Sequence, residues 1–334
     1  MRAVIADQPG GPEALRLVDL PDPEPGPGEV LLRIHASALN RADVLQRMGL
    51  YPPPPGASEV LGMECSGVVE RVGEGVDGWR PGDRAAGLLS AGGYAELCAV
   101  PEGQLLRVPD GMSMIEAAAV PEVFLTAFDN MITRGGLRPG DWVLVHGGAG
   151  GIGTAAIQLA RRLGAVVIVT AGSDERLHAS RELGATHAIN HRTEDFVERV
   201  AELTDGRGVD VVLDVMGASY LERNLAALAT EGRLVIIGLQ GGVRAEIDLN
   251  LVMRRRLRVM GSTLRARSVA EKSAVVAAAQ REVMPGFEDG TLRPVVGRVV
   301  DLADVADAHR AMEAGEVIGK IVLRVTPDAG DAAR

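Results

Sequence analysis

The stretch Trp142-Val143-Leu144-Val145-His146-Gly147-Gly148-Ala149-Gly150-Gly151-Ile152-Gly153 decides how this chain folds. A short apolar run ends in a glycine cluster, and from Ile152 to Leu163 apolar residues return at helical spacing. Gly148, Gly150 and Gly153 form a G-x-G-x-x-G. In a chain with 42 glycines that pattern alone is weak. Here a strand precedes it and a helix opens inside it, the context that dinucleotide binding requires. The first glycine permits a tight turn, the second lets the backbone approach a pyrophosphate, and the third brings helix and strand together. Backbone N–H groups at the helix start then face the anion. A purely structural glycine turn is the weaker alternative.

Working outward, strands and helices alternate. Val166–Thr170, Ala188–Asn190, Val209–Val215 and Arg233–Gly238 read as apolar strands. Between them lie amphipathic stretches at Asp174–Leu183, Glu194–Leu203 and Tyr220–Ala229, and Arg258–Ser262 is expected as the sixth strand. Strands apolar throughout, separated by helices, predict a parallel sheet covered on both faces.

Before about Val120 the grammar differs. Val4–Ala6, Leu15–Leu20, Val30–Ala36, Cys65–Val72 and Tyr94–Val100 are short candidate strands between Asp/Gly/Pro turns, with small helices near Arg41–Gly49 and Ser113–Ala118. After Ser262 a helix over Val269–Met284, a strand at Val295–Val300, a helix over Val305–Ala314 and a strand at Gly319–Val325 are expected. These last 70 or so residues are too few for a core of their own, so they should pack back onto the first region. Thr326–Arg334 reads as a frayed tail.

Composition narrows the function classes. The 334 residues carry 45 acidic and 35 basic side chains, a formal charge of −10, with 46% hydrophobic residues. The apolar content excludes a disordered chain, and the acidic balance argues against nucleic acid as a partner. Only two of the basic residues are lysines, Lys272 and Lys320. No apolar run approaches the length of a membrane span, and Met1–Asp7 shows no signal-like apolar region. The expectation is a soluble cytoplasmic protein. Two cysteines, Cys65 and Cys98, and six scattered histidines offer no three-ligand zinc set, so no metal is expected.

The cofactor's identity turns on the end of the second strand of the alternating region. An NAD site usually places Asp or Glu there for the ribose hydroxyls. This chain has Val169-Thr170-Ala171-Gly172-Ser173, and the first acid, Asp174, falls at the helix start. Ser173, Arg176 and Arg192 could supply donors and charge for a 2′-phosphate, which favours NADPH over NADH. Against this, Asp174 and Glu175 could be capping acids and Arg176 a solvated helix residue. In the first region Asn40 and Tyr51 are the candidates for orienting a substrate carbonyl. Asn40 could equally be a helix cap and Tyr51 a packing residue. Glu64, if buried, needs a partner, and Arg41 is the expected one.

Several further segments carry a resemblance. They include Gly10-Gly11-Pro12-Glu13, Ala38-Leu39-Asn40-Arg41-Ala42-Asp43, Tyr51 with Pro53-Pro54-Pro55-Gly56-Ala57-Ser58, and Ala117-Ala118-Ala119 with Pro121-Glu122. Gly153-Thr154-Ala155-Ala156-Ile157-Gln158-Leu159, Thr170-Ala171-Gly172-Ser173 and Ile318-Gly319-Lys320-Ile321-Val322-Leu323 complete the set. Across nearly residues 1–325 the chain resembles the medium-chain dehydrogenase/reductase superfamily in its zinc-independent quinone oxidoreductase branch. It is particularly similar to the group that includes the p53-inducible quinone oxidoreductase.

The resemblance implies an α/β fold: a GroES-like β-rich catalytic domain and a Rossmann domain built on a doubly wound parallel sheet. Residues 1–122 would form the first part of the catalytic domain, 123–263 the Rossmann domain, 264–325 the return, and 326–334 a flexible tail. Zinc-dependent relatives have Cys in place of Asn40 and His in place of Met63, while Glu64 is retained. NADPH is expected to contact Thr126, Gly148, Gly150, Gly151, Ile152, Gly153, Thr170, Ser173, Arg176, Asn190, His191, Gly217, Gly238, Ser262, Leu264 and Lys320. His191 departs from the branch, which often has Tyr there, and this could weaken the NADPH preference. Gly147 often appears as Ala in the branch, a change expected to be harmless.

The resemblance also implies a homodimer through the Rossmann sheet edge, Val259–Leu264. The implied activity is hydride transfer from NADPH to a quinone or similar electron-poor carbonyl, with Asn40 and Tyr51 at the carbonyl. The alternatives are reduction of an enoyl thioester or other α,β-unsaturated carbonyl with Tyr51 as proton donor, or an NADPH-binding sensor or structural protein with little turnover.

Overall fold

The computed structural model describes residues 1–326, and residues 327–334 of the expected tail lie outside the described residues. The chain divides into two units: Met1–Leu125 together with the chain from Leu264 on, and Thr126–Thr263.

The first unit is built on antiparallel strands: β1 (Arg2–Ala6), β2 (Leu15–Asp19), β3 (Glu29–Ala38), β4 (Glu64–Val72), β5 (Arg84–Leu88), β6 (Leu97–Pro101) and β7 (Leu105–Arg107). The ten-residue β3 is its spine, pairing with both β4 and β6. Two strands from the end of the chain, β14 (Val296–Asp301) and β15 (Lys320–Arg324), join the same sheet, because β15 runs antiparallel to β3 with Val322 opposite Ala38. One apolar core, including Val30, Leu32, Ile34, Leu61, Tyr94, Leu302, Val305 and Leu323, unites the early and late segments.

The second unit is a six-stranded parallel sheet. In spatial order its strands are β10 (His187–Asn190), β9 (Val166–Ala171), β8 (Trp142–His146), β11 (Val209–Asp214), β12 (Leu228–Ile236) and β13 (Arg258–Gly261). This is the α/β doubly wound order in which the chain reverses direction beside the first strand. The helix Gly151–Leu163 follows β8 and ends at Gly164, whose φ of 87° is the left-handed stop that glycine accepts readily.

Several elements differ from the sequence reading. β5 and β7 were not anticipated: Arg84-Ala85-Ala86-Gly87-Leu88 has weak strand propensity, and it is extended because β4 and β7 flank it. The strand expected over Tyr94–Val100 starts at Leu97, because Tyr94 turns into the core with its N–H on Leu61 O at 2.8 Å. The helix Pro121–Ala127, running into π-helical turns over Phe128–Arg134, was not resolved from the sequence. Nor was the helix Leu249–Arg255, capped by the Asp248 carboxylate on the N–H groups of Asn250 and Leu251. The stretch Arg254-Arg255-Arg256-Leu257-Arg258 therefore spans a helix end and a strand start.

Candidate active site and cofactor groove

Asn40, two residues past β3, caps the helix Arg41–Arg47, where the Asp43 carboxylate accepts the Asn40 N–H at 2.7 Å. Its side chain serves more than a cap. Asn40 Oδ1 accepts from Lys320 Nζ at 2.7 Å, while Nδ2 donates to Glu64 Oε1 at 2.9 Å and to Ala38 O at 3.3 Å. Lys320 Nζ also donates to Leu39 O at 2.5 Å and lies 2.7 Å from Glu64 Oε1. The second Glu64 oxygen accepts the backbone N–H of Glu122 at 2.8 Å. Both amide hydrogens of Asn40 and all three ammonium donors of Lys320 are thus committed.

Glu64 therefore pairs with Lys320 and not with Arg41, the partner expected from sequence. Arg41 instead reaches Met312 O at 3.4 Å on an exposed face. Lys320 opens β15, the strand that lies beside β3 on the side opposite β4.

Three carboxyl groups surround this one ammonium: Glu64, Asp43 and Glu122. Asp43, fully buried, accepts from Tyr94 Oη at 3.1 Å, and its other oxygen has no hydrogen-bond partner. Burial pushes the Asp43 carboxyl up to about 6, against the opposing bond from Asn40. Desolvation, reinforced by Glu64, pushes Glu122 up to about 8, against the pull of Lys320. With Glu64 beside it, Lys320 and Lys272 do not offset this, and Glu122 is pushed toward its neutral form.

Tyr51 is half-buried, and its hydroxyl makes no hydrogen bond to any described residue. Its ring lies 5.1 Å from the Arg265 guanidinium, and its carbonyl accepts from Arg265 Nη1 at 3.0 Å. Desolvation raises the phenol above its ordinary value, against the pull of Arg265, so the hydroxyl keeps its proton.

In the second unit, the parallel register aligns strand ends along one edge. His146 pairs with Thr170, Asn190 with Ala171, and Ile236 with both Asp214 and Gly261. Thr170, Ser173, Asn190, His191, Gly217, Gly238 and Ser262 all follow or end these strands, so they share the edge where such sheets bind ligands. Thr126 and Ser262 are linked through Asn130, which donates to Thr126 O at 2.9 Å and accepts from Ser262 Oγ at 2.6 Å. Ser173 caps the helix Asp174–Glu182 through Arg176 N. Gly217 accepts the left-handed φ of 74° and donates to the Asp214 carboxylate at 2.9 Å. A Cβ on Gly238 would meet Val215 O at 2.8 Å.

The glycine turn divides its duties differently from the sequence reading. The left-handed residue is Gly147, at φ 75°, and it accepts Gly150 N–H at 3.0 Å. Alanine at Gly147 would be strained, which corrects the expectation that it is harmless. Gly148 supplies close packing: a Cβ there would lie 2.7 Å from Val169 Cβ and 3.0 Å from Ser180 Oγ. Gly153 is tighter still, 2.2 Å from Gly147 O, while Gly150 meets nothing closer than 3.5 Å. Gly150, Gly151 and Ile152 open the helix, so a phosphate could reach their backbone. These features fit a dinucleotide cradle.

His146, below the turn, is fully engaged: Nδ1 with Thr170 Oγ1 at 3.0 Å and Nε2 with Asn224 Oδ1 at 2.7 Å. Burial lowers it to about 4, so it is a neutral structural histidine. Of the expected contacts, Leu264 and Lys320 belong to the first unit and the others to the second. The sequence reading passed over Asp43, Glu122, Tyr94, Arg265 and Lys272 as site residues. Asp43 and Glu122 fell within the segments that carry the resemblance, and Lys272 stood out as one of two lysines in the chain.

Two family models match: an alcohol dehydrogenase GroES-like domain over residues 26–110 and a zinc-binding dehydrogenase over residues 151–280. The human quinone oxidoreductase is 31% identical over 326 residues, covering 97% of each chain. The structure of the Escherichia coli quinone oxidoreductase complexed with NADPH superposes with a TM-score of 0.89 at 29% identity, covering 97% of this chain and all of that one. A structure described as an NAD-dependent alcohol dehydrogenase superposes with a TM-score of 0.86 at 38% identity, covering 98% of this chain and all of that one.

The zinc in the second model's description does not fit this chain. Where zinc relatives offer Cys and His, Asn40 gives an amide and Met63 a buried thioether. The remaining Glu64 is already neutralised by the ammonium of Lys320, which stands as the cation of this cluster. Among the described residues no three His, Cys, Asp or Glu side chains gather as a metal centre.

Proposed function

Since the chain belongs to the medium-chain dehydrogenase/reductase superfamily and is an oxidoreductase of that kind, we propose that it is an NADPH-dependent quinone oxidoreductase acting on a quinone or similar electron-poor carbonyl without zinc. The observation that carries this reading is the free hydroxyl of Tyr51, its ring held beneath Arg265. NADPH, when bound, supplies a hydride. The chain's own part is to bind and orient. Gly148, Gly150, Gly151, Ile152 and Gly153 would receive the pyrophosphate. Thr126, Thr170, Ser173, Arg176, Asn190, His191, Gly217, Gly238, Ser262 and Leu264 would line the remainder of the cofactor site. Support for NADPH over NADH comes from the missing acid at the end of β9 and from His191 and Arg192, whose ring and guanidinium crowd over Gly172.

Tyr51 would donate a hydrogen bond to the acceptor oxygen as it gains negative charge. Asn40, with its amide committed to Lys320 and Glu64, acts as a positioning residue in this reading, and Lys320 acts through it. A homodimer along β13 belongs to the same proposal, supported by that strand's edge position and by the exposed Val259, Leu249 and Met253. So does a cytoplasmic location. The bare fact is that no helix among the described residues is long and apolar enough to cross a membrane.

The same free hydroxyl favours one second reading, an enoyl reductase in which Tyr51 protonates the α-carbon. Single-turnover oxidation of bound NADPH, followed at 340 nm, separates the two. Rapid oxidation by an ortho-quinone, little changed in Tyr51→Phe, supports quinone reduction with Tyr51 as a positioning group. Turnover of a crotonyl thioester that falls about 10²-fold or more in Tyr51→Phe identifies the enoyl reductase. If neither acceptor oxidises NADPH, the reductase reading fails and a binding role replaces it.

A further inference from the structure

A cavity of about 490 Å³ within the first unit lies between the Pro54–Ser58 loop, the Leu89–Gly92 loop and the segment from Arg265 to Lys272. Lys272 lines it while only 2% exposed, and Arg265 lines it while 4% exposed. Both grip Ser90: Lys272 Nζ donates to its hydroxyl, and Arg265 Nε donates to its carbonyl at 2.7 Å. The other Arg265 donors go to Tyr51 O and Gln46 Oε1.

Every one of these acceptors is a neutral oxygen. Neither cation has a carboxylate within ion-pair distance among the described residues. Burying a cation without a counter-ion costs several kcal/mol, and this chain has the means to avoid it. It uses arginine for nearly all its positive charge and keeps its only two lysines buried. Lys320 has Glu64 as its counter-ion; Lys272 has none. A third cation, Arg267, lines the same cavity.

Two acids act on these cations, Asp43 on Arg265 and Glu122 on both, but neither is in ion-pair contact with them and burial raises both carboxyls, which weakens the offset. Glu122, which acts on both Lys272 and Arg265, is held protonated up to about 8. Glu29, also in the lining, accepts Gly26 N–H at 2.9 Å. In a molecule of formal charge −10, this is a buried concentration of positive charge facing a space large enough for a small organic ligand.

We propose that this cavity is an oxyanion subsite, in which Lys272, Arg265 and Arg267 receive a carboxylate or phosphate group, either carried by the acceptor substrate or free. The substrate case deepens the reductase reading and rests on it, because Arg265 also holds Tyr51. The binding itself does not depend on that reading.

Inorganic phosphate is the probe, with chloride at matched ionic strength as control, on protein with and without saturating NADPH so that cofactor phosphate sites are accounted for. Phosphate should raise the unfolding midpoint of the wild type saturably, and calorimetric affinity should fall at least tenfold in Lys272→Met and recover in Lys272→Arg. Arg267→Gln should also weaken binding, a second variant in case Lys272→Met does not fold. No response to phosphate beyond chloride, or an equal response in the wild type and the folded variants, overturns the proposal. Kinetics then separate the sources. Phosphate competitive against a carboxylate-bearing quinone, but not against its uncharged analogue, assigns the subsite to the substrate. Phosphate that binds yet competes with neither assigns it to a free anion.

Discussion

Lys320 Nζ lies 2.7 Å from Glu64 Oε1, and the two side chains are 4% and 0% exposed. The pair joins the first residue of β15 to the first residue of β4, strands that flank β3 on either side. It fixes Asn40 between them. Removing one partner leaves a buried charge uncompensated, so Lys320→Met should cost about 3–5 kcal/mol of stability. The double variant Lys320→Met/Glu64→Gln should recover most of that loss, because neither site then holds a charge. Denaturant unfolding of the two single variants and the double closes the cycle, and a coupling energy near zero would sink the account. Activity should stay low in the double variant, since Asn40 loses its anchors.

Glu122 makes stability depend on pH in a definite direction. Its carboxyl ordinarily titrates at 4.5 and is pushed up to about 8 in the folded chain. Between those values the folded state keeps a proton that the unfolded state has released. Its contribution is therefore complete below 4.5 and is lost as pH rises through 8. Glu122→Gln should unfold like the wild type near pH 4.5 and become the more stable protein near pH 8.5, by on the order of 1 kcal/mol or more. Asp43, raised from 3.8 to about 6, adds a decline of the same sign at lower pH. Thermal midpoints of both proteins from pH 4.5 to 8.5 test this, and parallel curves would refute it.

The parallel sheet was legible because its strands are apolar throughout and its helices are amphipathic, signals that survive without knowledge of partners. The strand ends carrying Thr170, Asn190 and Ser262 followed from the same periodicity. What was hidden depends on contacts distant in sequence. Lys320 meets Glu64 across 256 positions of chain, and nothing local to either residue announces the other. The alanines of β5 and the inward turn of Tyr94 are likewise tertiary outcomes that override local propensity. Glycine spacing showed that a turn exists. Which glycine turns left-handed and which one packs required the backbone itself.

That division of labour among the glycines sets an order of damage. Gly147→Ala places a side chain at φ 75° but meets only Val215 Cγ2 at 3.8 Å, so its cost is the left-handed strain, roughly 1–2 kcal/mol. Gly148→Ala must displace Val169, a buried residue of β9. Gly153→Ala would strike the backbone of Gly147 and Gly148, which cannot rotate away as a side chain can. Unfolding midpoints should therefore fall in the order Gly147→Ala, Gly148→Ala, Gly153→Ala, with the last the lowest. A Gly153→Ala protein as stable as the wild type would show that helix and strand are not in the contact described.

The cofactor preference can be read from one substitution at the end of β9. A Cβ on Gly172 would sit 3.1 Å from Arg192 Nε and 3.2 Å from His191 Nε2, so both side chains reach over the position where NAD-selective sheets place an acid. The first acid after it in sequence, Asp174, accepts from Asn190 Nδ2 at 3.5 Å and opens a helix. A 2′-phosphate held by the Arg192 guanidinium would contribute on the order of 1.5–3 kcal/mol. Arg192→Gln should then weaken NADPH binding about 10- to 100-fold while leaving NADH within a factor of about two. Gly172→Asp should reverse the preference, by bringing a carboxylate against the phosphate and displacing the His191 and Arg192 side chains. Titration of nucleotide fluorescence with both cofactors measures this directly. An Arg192→Gln protein that loses NADH and NADPH affinity equally would mean that Arg192 supports the fold of the groove and does not read the phosphate.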